Sequence, residues 1–210
     1  MIRLKTVALG SGNTLNNKNI EYYNDNAESF FNNTVEADMS LWRDKFESQI
    51  TDGGRILDAG CGSGRDSRAF RQHGFSIVAF DASREMCRMA SELLGQEVWQ
   101  MRFDEVSFEE EFDGIWACAS LLHVPEDELM GVLNKLHKAL KPNGRIYVSF
   151  KYGNGMVLRG ERVFTNHTEE TLERLLCESG YHIIESGITT DVRPGREEEK
   201  WINAIAEKMT

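Results

Sequence analysis

At 210 residues the chain is long enough for one sizeable α/β domain and short for two. With 40% hydrophobic and 28% charged residues it has the composition of an ordinary soluble globular protein, and no apolar stretch reaches the roughly 20 residues that cross a bilayer. A net charge of -10 repels polyanions at long range, which argues against a nucleic-acid partner and leaves small molecules as the expected ones.

The opening MIRLKTVALGSGN lacks the longer apolar core and the small-residue cleavage site of a signal peptide. Cys61, Cys87, Cys118 and Cys177 form no CxxC pair, which fits a reducing cytoplasm better than a disulfide framework or a zinc site. Each lies in or beside an apolar segment, so all four are expected to be small buried hydrophobes. The expected protein is cytoplasmic, a monomer or homodimer, without a metal.

In chain order, residues 1–18 are Asn- and Gly-rich and expected to be flexible, and 19–210 form a single domain. Two cap helices are expected over about 20–50, from Tyr22, Tyr23, Ala27, Phe30 and Phe31 and then Leu41, Trp42, Phe46 and Ile50 at helical spacing. Arg55–Ala59 is a short apolar run bounded by glycines, as in a buried parallel strand. A helix over 65–73 closes at Gly74, a strand spans 75–80, and an amphipathic helix spans 83–94 before Gly95. A weaker strand is expected at 97–102, a solvated acidic stretch at 108–113, a strand at 112–119 and a helix at 126–140. Lys141-Pro142-Asn143-Gly144 signals a turn before a strand at 145–150, and 151–162 reads as a charged, Gly-rich loop. Thr168 caps a helix that stops at Gly180, and two strands follow over 181–192 and 200–208. Strands alternating with helices imply βαβ units and a mostly parallel sheet.

The segment RILDAGCGSGRDS, 55–67, is the first with chemical content: a strand, a glycine turn and a helix start present backbone N–H groups to a ligand. A Walker phosphate loop needs GxxxxGK followed by Ser or Thr, and no Lys follows Gly64. The nicotinamide fingerprint needs GxGxxG, whereas the glycines here are Gly60, Gly62 and Gly64. A third reading is a cofactor with no phosphate: Asp58 can receive a cationic group or order the loop, and Asp81, at the end of the next strand, can take both hydroxyls of a ribose. A bare strand-to-helix turn is the alternative that needs no ligand.

Asp58-Ala59-Gly60-Cys61-Gly62-Ser63-Gly64 resembles the first motif of class I S-adenosylmethionine-dependent methyltransferases. Phe80-Asp81 is similar to their second-strand acidic position and Phe103-Asp104 to the position framing the adenine. FDGIWACASLLHV, 112–124, and LKPNGRIYVSF, 140–150, resemble their fourth- and fifth-strand motifs. The likeness covers about 20–208, and Arg65-Asp66-Ser67 looks more like the tellurite-resistance and small-molecule branch than the nucleic-acid branches. It implies a Rossmann-like three-layer α/β sandwich whose seven-stranded, mostly parallel sheet ends in an antiparallel pair. It also implies S-adenosylmethionine as cofactor and S-adenosylhomocysteine as product. Carried over by position, Gly60 and Gly62 lie along the methionine moiety and Asp81 on the ribose. Ala82, Met86, Phe103 and Asp104 surround the adenine, Ala119 and Leu122 sit near the methionine amine and sulfonium, and Tyr23 or its neighbour Tyr22 closes over the cofactor.

Methyl transfer from a sulfonium is an in-line displacement, so the protein chiefly positions the acceptor. His123, after the fourth strand, is the candidate base, with a loop-ordering role as the equal alternative. His137 is expected at the surface and His167 at a helix start. Lys151, Arg159, Arg162, Arg193, Arg196 and Lys200 recur in segments expected over the active face. Lys151, Arg162, Arg193 and Arg196 are therefore candidates for binding an anionic acceptor, the plainer reading being solvated charges paired with Glu161 and Glu197–Glu199. The expected function is methylation of a small molecule. Methylation of RNA or another macromolecule, and a non-catalytic cofactor-binding protein, are the alternatives. No Asn/Asp-Pro-Pro-aromatic motif follows the fourth strand, where Cys118-Ala119-Ser120-Leu121 stands.

Overall fold

The computed structural model describes residues 12–209. Residues 1–11 of the segment expected to be flexible lie outside the described residues, and from Gly12 the chain is helical. Three cap helices form where two were expected: α1 (Gly12–Asp25), α2 (Ala27–Thr34) and α3 (Ser40–Glu47). Then come β1 (Arg55–Ala59), α4 (Arg65–Gln72), β2 (Ser76–Asp81), α5 (Arg84–Leu94), β3 (Trp99–Gln100), β4 (Phe112–Ala117), α6 (Glu126–Ala139) and β5 (Leu140–Lys151). The chain ends with β6 (Gly155–Arg159), β7 (Arg162–Asn166), α7 (Glu169–Glu178), β8 (Tyr181–Thr190) and β9 (Lys200–Lys208).

Seven strands form one sheet in the order β3-β2-β1-β4-β5-β9-β8. The first five run parallel, and β9 lies antiparallel to both β5 and β8. This is the Rossmann-like sandwich implied by the motifs, with its antiparallel edge. The apolar runs of β1 and β4 are continuous because both their faces are covered. On one face Leu57, Ile115, Val148 and Ala204 pack with α6 and α7 through Leu133, Leu136, Leu172 and Leu176. On the other, Ile56, Trp116, Tyr147 and Ile205 meet Trp42 and Phe46 of α3 and Phe70 of α4. There the Trp116 and Tyr147 rings stack 3.8 Å apart.

Four local expectations need correction. Lys141–Gly144 makes no chain-reversing turn: it bulges within β5 between the pairs Phe112↔Leu140 and Gly114↔Arg145, with Asn143 in the left-handed region that the turn signal asked for (φ 60°). The expected loop 151–162 contains β6 and the start of β7, a hairpin closed at Gly160-Glu161, because Met156–Leu158 and Val163–Thr165 supply strand-forming residues on either side of Gly160 (φ 62°). His137 is half-buried, not superficial: its Nε2 lies 3.1 Å from the Gly180 carbonyl and 3.2 Å from that of Met209, tying α6 to the chain end. Of the cysteines only Cys87 is buried; Cys61 and Cys118 are half-buried and Cys177 is exposed.

Among the described residues no helix is long and apolar enough to cross a membrane. A parallel sheet opens its crevice beyond the carboxyl ends of its strands, where neighbouring crossovers diverge. Here that crevice lies above β1, β2, β4 and β5, roofed by α1 and the β6–β7 hairpin.

Candidate active site

A cavity of about 640 Å³ fills the crevice. One wall is the glycine turn. β1 is stopped by Gly60, Gly62 and Gly64, all at positive φ (78°, 53° and 77°), and the last of these caps α4. A Cβ on Gly60 would stand 2.5 Å from Ser120 Cβ, so only glycine allows the loop to pass there. The N–H groups of Gly60 and Cys61 donate to the Phe80 carbonyl at 2.9 Å, and that of Gly62 donates to Asp81 Oδ2 at 2.9 Å. These donors are engaged, and Asp66 in the first turn of α4 adds a buried carboxylate beside Arg65. With these turn donors engaged and the Asp66 carboxylate at the helix start, the loop offers little to a pyrophosphate, which favours the reading without phosphate.

Asp81 ends β2 at the cavity wall, its other oxygen accepting the Ser83 N–H at 2.9 Å. Burial raises its pKa, and the bonds from Ser83 and Gly62 oppose that. Asp58 accepts the Ser67 hydroxyl at 2.6 Å and is pushed up to about 7 by burial and by the nearby Asp66 carboxylate. Ala82, Met86, Phe103 and Leu122 supply the mainly apolar remainder of this lobe, and Ala119, at φ 52°, donates its N–H to Ser149 Oγ at 2.8 Å. Asp104 does not line the cavity. It sits on the short 3₁₀ turn Phe103–Glu105, is more than half exposed and pairs with Arg102 at 2.9 Å. A loop position four residues from a strand end has no orientation that strand periodicity can assign.

His123 lies on the 3₁₀ turn Leu121–His123 and is walled in. Its Nδ1 is 3.2 Å from the Val163 carbonyl, and its Nε2 is 2.8 Å from the Tyr23 hydroxyl. This pattern assigns the proton to Nδ1, donating to Val163, and leaves Nε2 to accept from Tyr23. Burial, helped by the Arg162 charge and opposed by the Val163 bond, pushes its pKa down to about 4. Asn19, four residues before Tyr23 on α1, exchanges bonds with the Val163 backbone, its Oδ1 accepting at 3.0 Å and its Nδ2 donating at 3.1 Å. Helix α1 is thereby strapped across the site, a role of Asn19 that an isolated polar residue in a helical pattern does not advertise. Asn24 adds a second strap, accepting the Ser83 hydroxyl at 2.8 Å.

The remaining candidates gather at the far end of the cavity. Lys151, buried, bonds Asp191 at 3.1 Å and also pairs with Glu199. Arg193 grips Asp191 with two bonds of 2.8 and 2.6 Å, and Trp201 Nε1 donates to the same carboxylate at 3.1 Å. Burial alone would raise the Asp191 pKa, but the Arg193 bonds and Lys151 outweigh it and hold the carboxyl well below the usual range. Arg159 and Arg196 lie 3.3 and 3.6 Å from Glu199. Lys151, Arg193 and Arg196 thus have internal carboxylate partners: Glu199, among those the plainer reading named, and Asp191, which it did not name. Arg162 differs. Its Nη1 donates to the Tyr23 hydroxyl at 3.1 Å, its guanidinium lies 4.4 Å from the Tyr22 ring centre, and among the described residues it has no carboxylate partner. Beneath this end, sequence reading missed a polar floor formed by Cys118, Ser149 and Asn203, with Trp42 at its side. Cross-strand pairing of Ser149 with Asn203 and Lys151 with Trp201 puts these groups on one sheet face.

Residues 56–144 match the family model of a methyltransferase domain. A putative methyltransferase, YqeM of Bacillus subtilis, is 26% identical over 126 residues, 55% of this chain and 51% of that protein. An uncharacterized methyltransferase of Staphylococcus carnosus is 25% identical over 152 residues, 65% of this chain and 73% of its own. The chain spans about half the length, or less, of most of the curated relatives it matches. In fold it resembles 1,6-didemethyltoxoflavin-N1-methyltransferase of Burkholderia thailandensis, solved with 1,6-didemethyltoxoflavin and S-adenosylhomocysteine bound. That likeness has a TM-score of 0.81 at 21% identity, over 98% of this chain and 94% of that one. It also resembles a methyltransferase of Methanosarcina mazei, with a TM-score of 0.68 at 19% identity over 78% and 96%. With the glycine turn, the Asp81 acid and the sheet order in agreement, residues 56–144 match a methyltransferase domain, and the chain has the fold of these methyltransferases.

Proposed function

We propose that the protein transfers the methyl group of S-adenosylmethionine to a small anionic acceptor. The carrying observation is the charge of the far end of the cavity: residues 151–199 line it with five cations, Lys151, Arg159, Arg162, Arg193 and Arg196, against two carboxylates, Asp191 and Glu199. On a chain of net charge -10 such a local surplus attracts an anion that the rest of the surface repels. The cavity's size is that of small-molecule sites. The fold relative named as 1,6-didemethyltoxoflavin-N1-methyltransferase supports an acceptor that is a small molecule.

In this reading the glycine turn, Asp81, Ala82, Met86 and Phe103 hold the nucleoside, and Asp58, Gly60, Ala119 and Leu122 lie along the methionine. Tyr23 covers the cofactor from α1. The cofactor supplies an activated methyl group, and the chain orients the acceptor behind it while excluding water. The free cysteines suit a reducing compartment, and we assign the protein to the cytoplasm.

The test is calorimetric titration of S-adenosylhomocysteine into the full chain, followed by incubation of the chain and methyl-labelled S-adenosylmethionine with an extract of small metabolites. Binding that Asp81→Ala weakens strongly, together with label in a small-molecule product, is expected. Binding without any labelled product would instead identify a cofactor-binding protein without turnover.

A further inference from the structure

The cations at the far end are not equivalent. Lys151, Arg159, Arg193 and Arg196 are all within ion-pair distance of Asp191 or Glu199, whereas Arg162 is held by neutral groups. Tyr23 Oη accepts its Nη1 at 3.1 Å, the rings of Tyr22 and Phe164 lie 4.4 and 5.1 Å from its guanidinium carbon, and no carboxylate among the described residues neutralises it. A half-buried guanidinium so placed keeps donors for a ligand whose geometry suits a forked contact.

Its position is fixed from the cofactor side. The Tyr23 ring packs edge-on against Phe30 at 4.9 Å, and Phe30 lies 3.4 Å from where a side chain on Gly62 would begin. Tyr23 therefore bridges the glycine turn and Arg162. Its hydroxyl lies 2.8 Å from His123 Nε2, and His123 Nδ1 is 3.2 Å from the Val163 carbonyl. The charged or titratable groups around this point are Tyr22, Tyr23 and His123, with Asp81 on the cofactor side and Arg159 and Arg193 on the outer side. The imidazole has both nitrogens engaged and a pKa near 4, beside a cation, so it is a poor acceptor for a substrate proton.

We infer that the acceptor presents an already ionised oxygen, a phenolate, enolate or carboxylate, to Arg162, which Tyr23 and His123 hold at the junction of the two lobes, so that methyl transfer needs no general base. The inference rests on the methyl-transfer reading above and names the acceptor atom. The oxyanion attacks the methyl carbon, the O–C bond forms as the C–S bond breaks, and the electron pair of that bond returns to sulfur. No proton moves, and a cation and an anion become a neutral thioether and a neutral ether or ester. A dry cavity favours such collapse of charge. Arg162 is the binding residue in this scheme, and Tyr23 and His123 are positioning residues.

The probe is 4-nitrophenol, an oxygen acid whose phenolate absorbs visible light while the phenol does not. It is titrated into the full chain saturated with S-adenosylhomocysteine across neutral pH. The bound probe is expected to ionise at least about one pH unit below the free probe, a tenfold preference for the phenolate. Arg162→Met is expected to abolish that preference while S-adenosylhomocysteine affinity and thermal stability persist, and Arg162→Lys to restore part of it. Tyr23→Phe, which frees the guanidinium from its tether, is expected to weaken phenolate binding about tenfold. An exposed-site control, Glu198→Gln, is expected to change nothing. Absence of probe binding, binding as the neutral phenol, or a preference that survives Arg162→Met would each overturn the inference. A wild-type chain that binds no S-adenosylhomocysteine would instead overturn the methyltransferase reading itself.

Discussion

Ser120 Cβ stands 2.5 Å from the place where Gly60 would carry a side chain. The Ser120 hydroxyl donates to the Ala59 carbonyl at 2.7 Å, so the loop after β4 is buttoned onto the end of β1. The floor of the cofactor lobe is built by this close approach, and its dependence on glycine is testable. Gly60→Ala combines overpacking with a left-handed backbone, each costing about 1–3 kcal/mol. A drop in thermal midpoint together with loss of S-adenosylhomocysteine binding is expected. A variant with wild-type midpoint and affinity would mean that the two loops separate easily.

Asp81 links the glycine turn to the start of α5 through the N–H groups of Gly62 and Ser83. Asp81→Ala strands both donors, and each buried unpaired donor costs about 1–3 kcal/mol. Cofactor affinity measured by calorimetry is expected to fall by at least about tenfold, with Asp81→Asn intermediate because its amide oxygen still accepts one bond. Equal affinities for wild type and Asp81→Ala would remove Asp81 from the site.

Around Asp191, Lys151 and Arg193 form a buried network joining the ends of β5 and β8. Truncating one member leaves an uncompensated charge, at a cost of about 3–5 kcal/mol. Asp191→Ala is expected to lower the unfolding free energy measured by urea titration by that amount, and the double variant Lys151→Met/Asp191→Leu to recover much of it. If the double variant were the less stable of the two, the network would be a net stabiliser and not merely a specifier of geometry.

Acid stability divides between groups of opposite sign. His123 and His167 are held neutral, each near 4 against an ordinary value of 6.5, chiefly by burial. The unfolded chain binds protons there that the native state refuses, so stability is lost as pH falls from 6.5 towards 4. Asp58 is pushed the other way, to about 7 from 3.8, and its native proton adds stability as pH falls through the same range. Thermal midpoints recorded from pH 7 to pH 4 are therefore expected to slope less steeply in His167→Gln and more steeply in Asp58→Asn. Parallel slopes for all three chains would show that these groups titrate alike folded and unfolded.

Which features could be read from residues alone follows from how local each one is. The continuous apolar runs at 55–59 and 112–117 and the glycines closing each turn specify buried parallel strands without reference to anything distant. The position of Asp81 at the crevice mouth is a consequence of where its own strand ends. The β6–β7 hairpin escaped because its charges outweighed a weak strand pattern.

The cations illustrate the opposite limit. Composition and spacing brought Lys151, Arg162, Arg193 and Arg196 to one end of the fold, but nothing local says which of them is spent. That is settled by register: β9 runs antiparallel to β5 and β8, aligning Lys151 with Trp201 and Thr190 with Lys200, and so sets Asp191 and Glu199 against Lys151, with Arg193 and Arg196 closing on the same two acids. Arg162, delivered by the hairpin to Tyr23, is left without such a partner. By itself the sequence determined the alternation of strands and helices and the glycine turn, since hydrophobic periodicity and glycine stereochemistry act over a few residues, while the sheet type and the methyl-donor wall were implied by the family resemblance. Only the tertiary structure decided which charge faces the acceptor, because ion pairing depends on distances between strands that meet far apart in the chain.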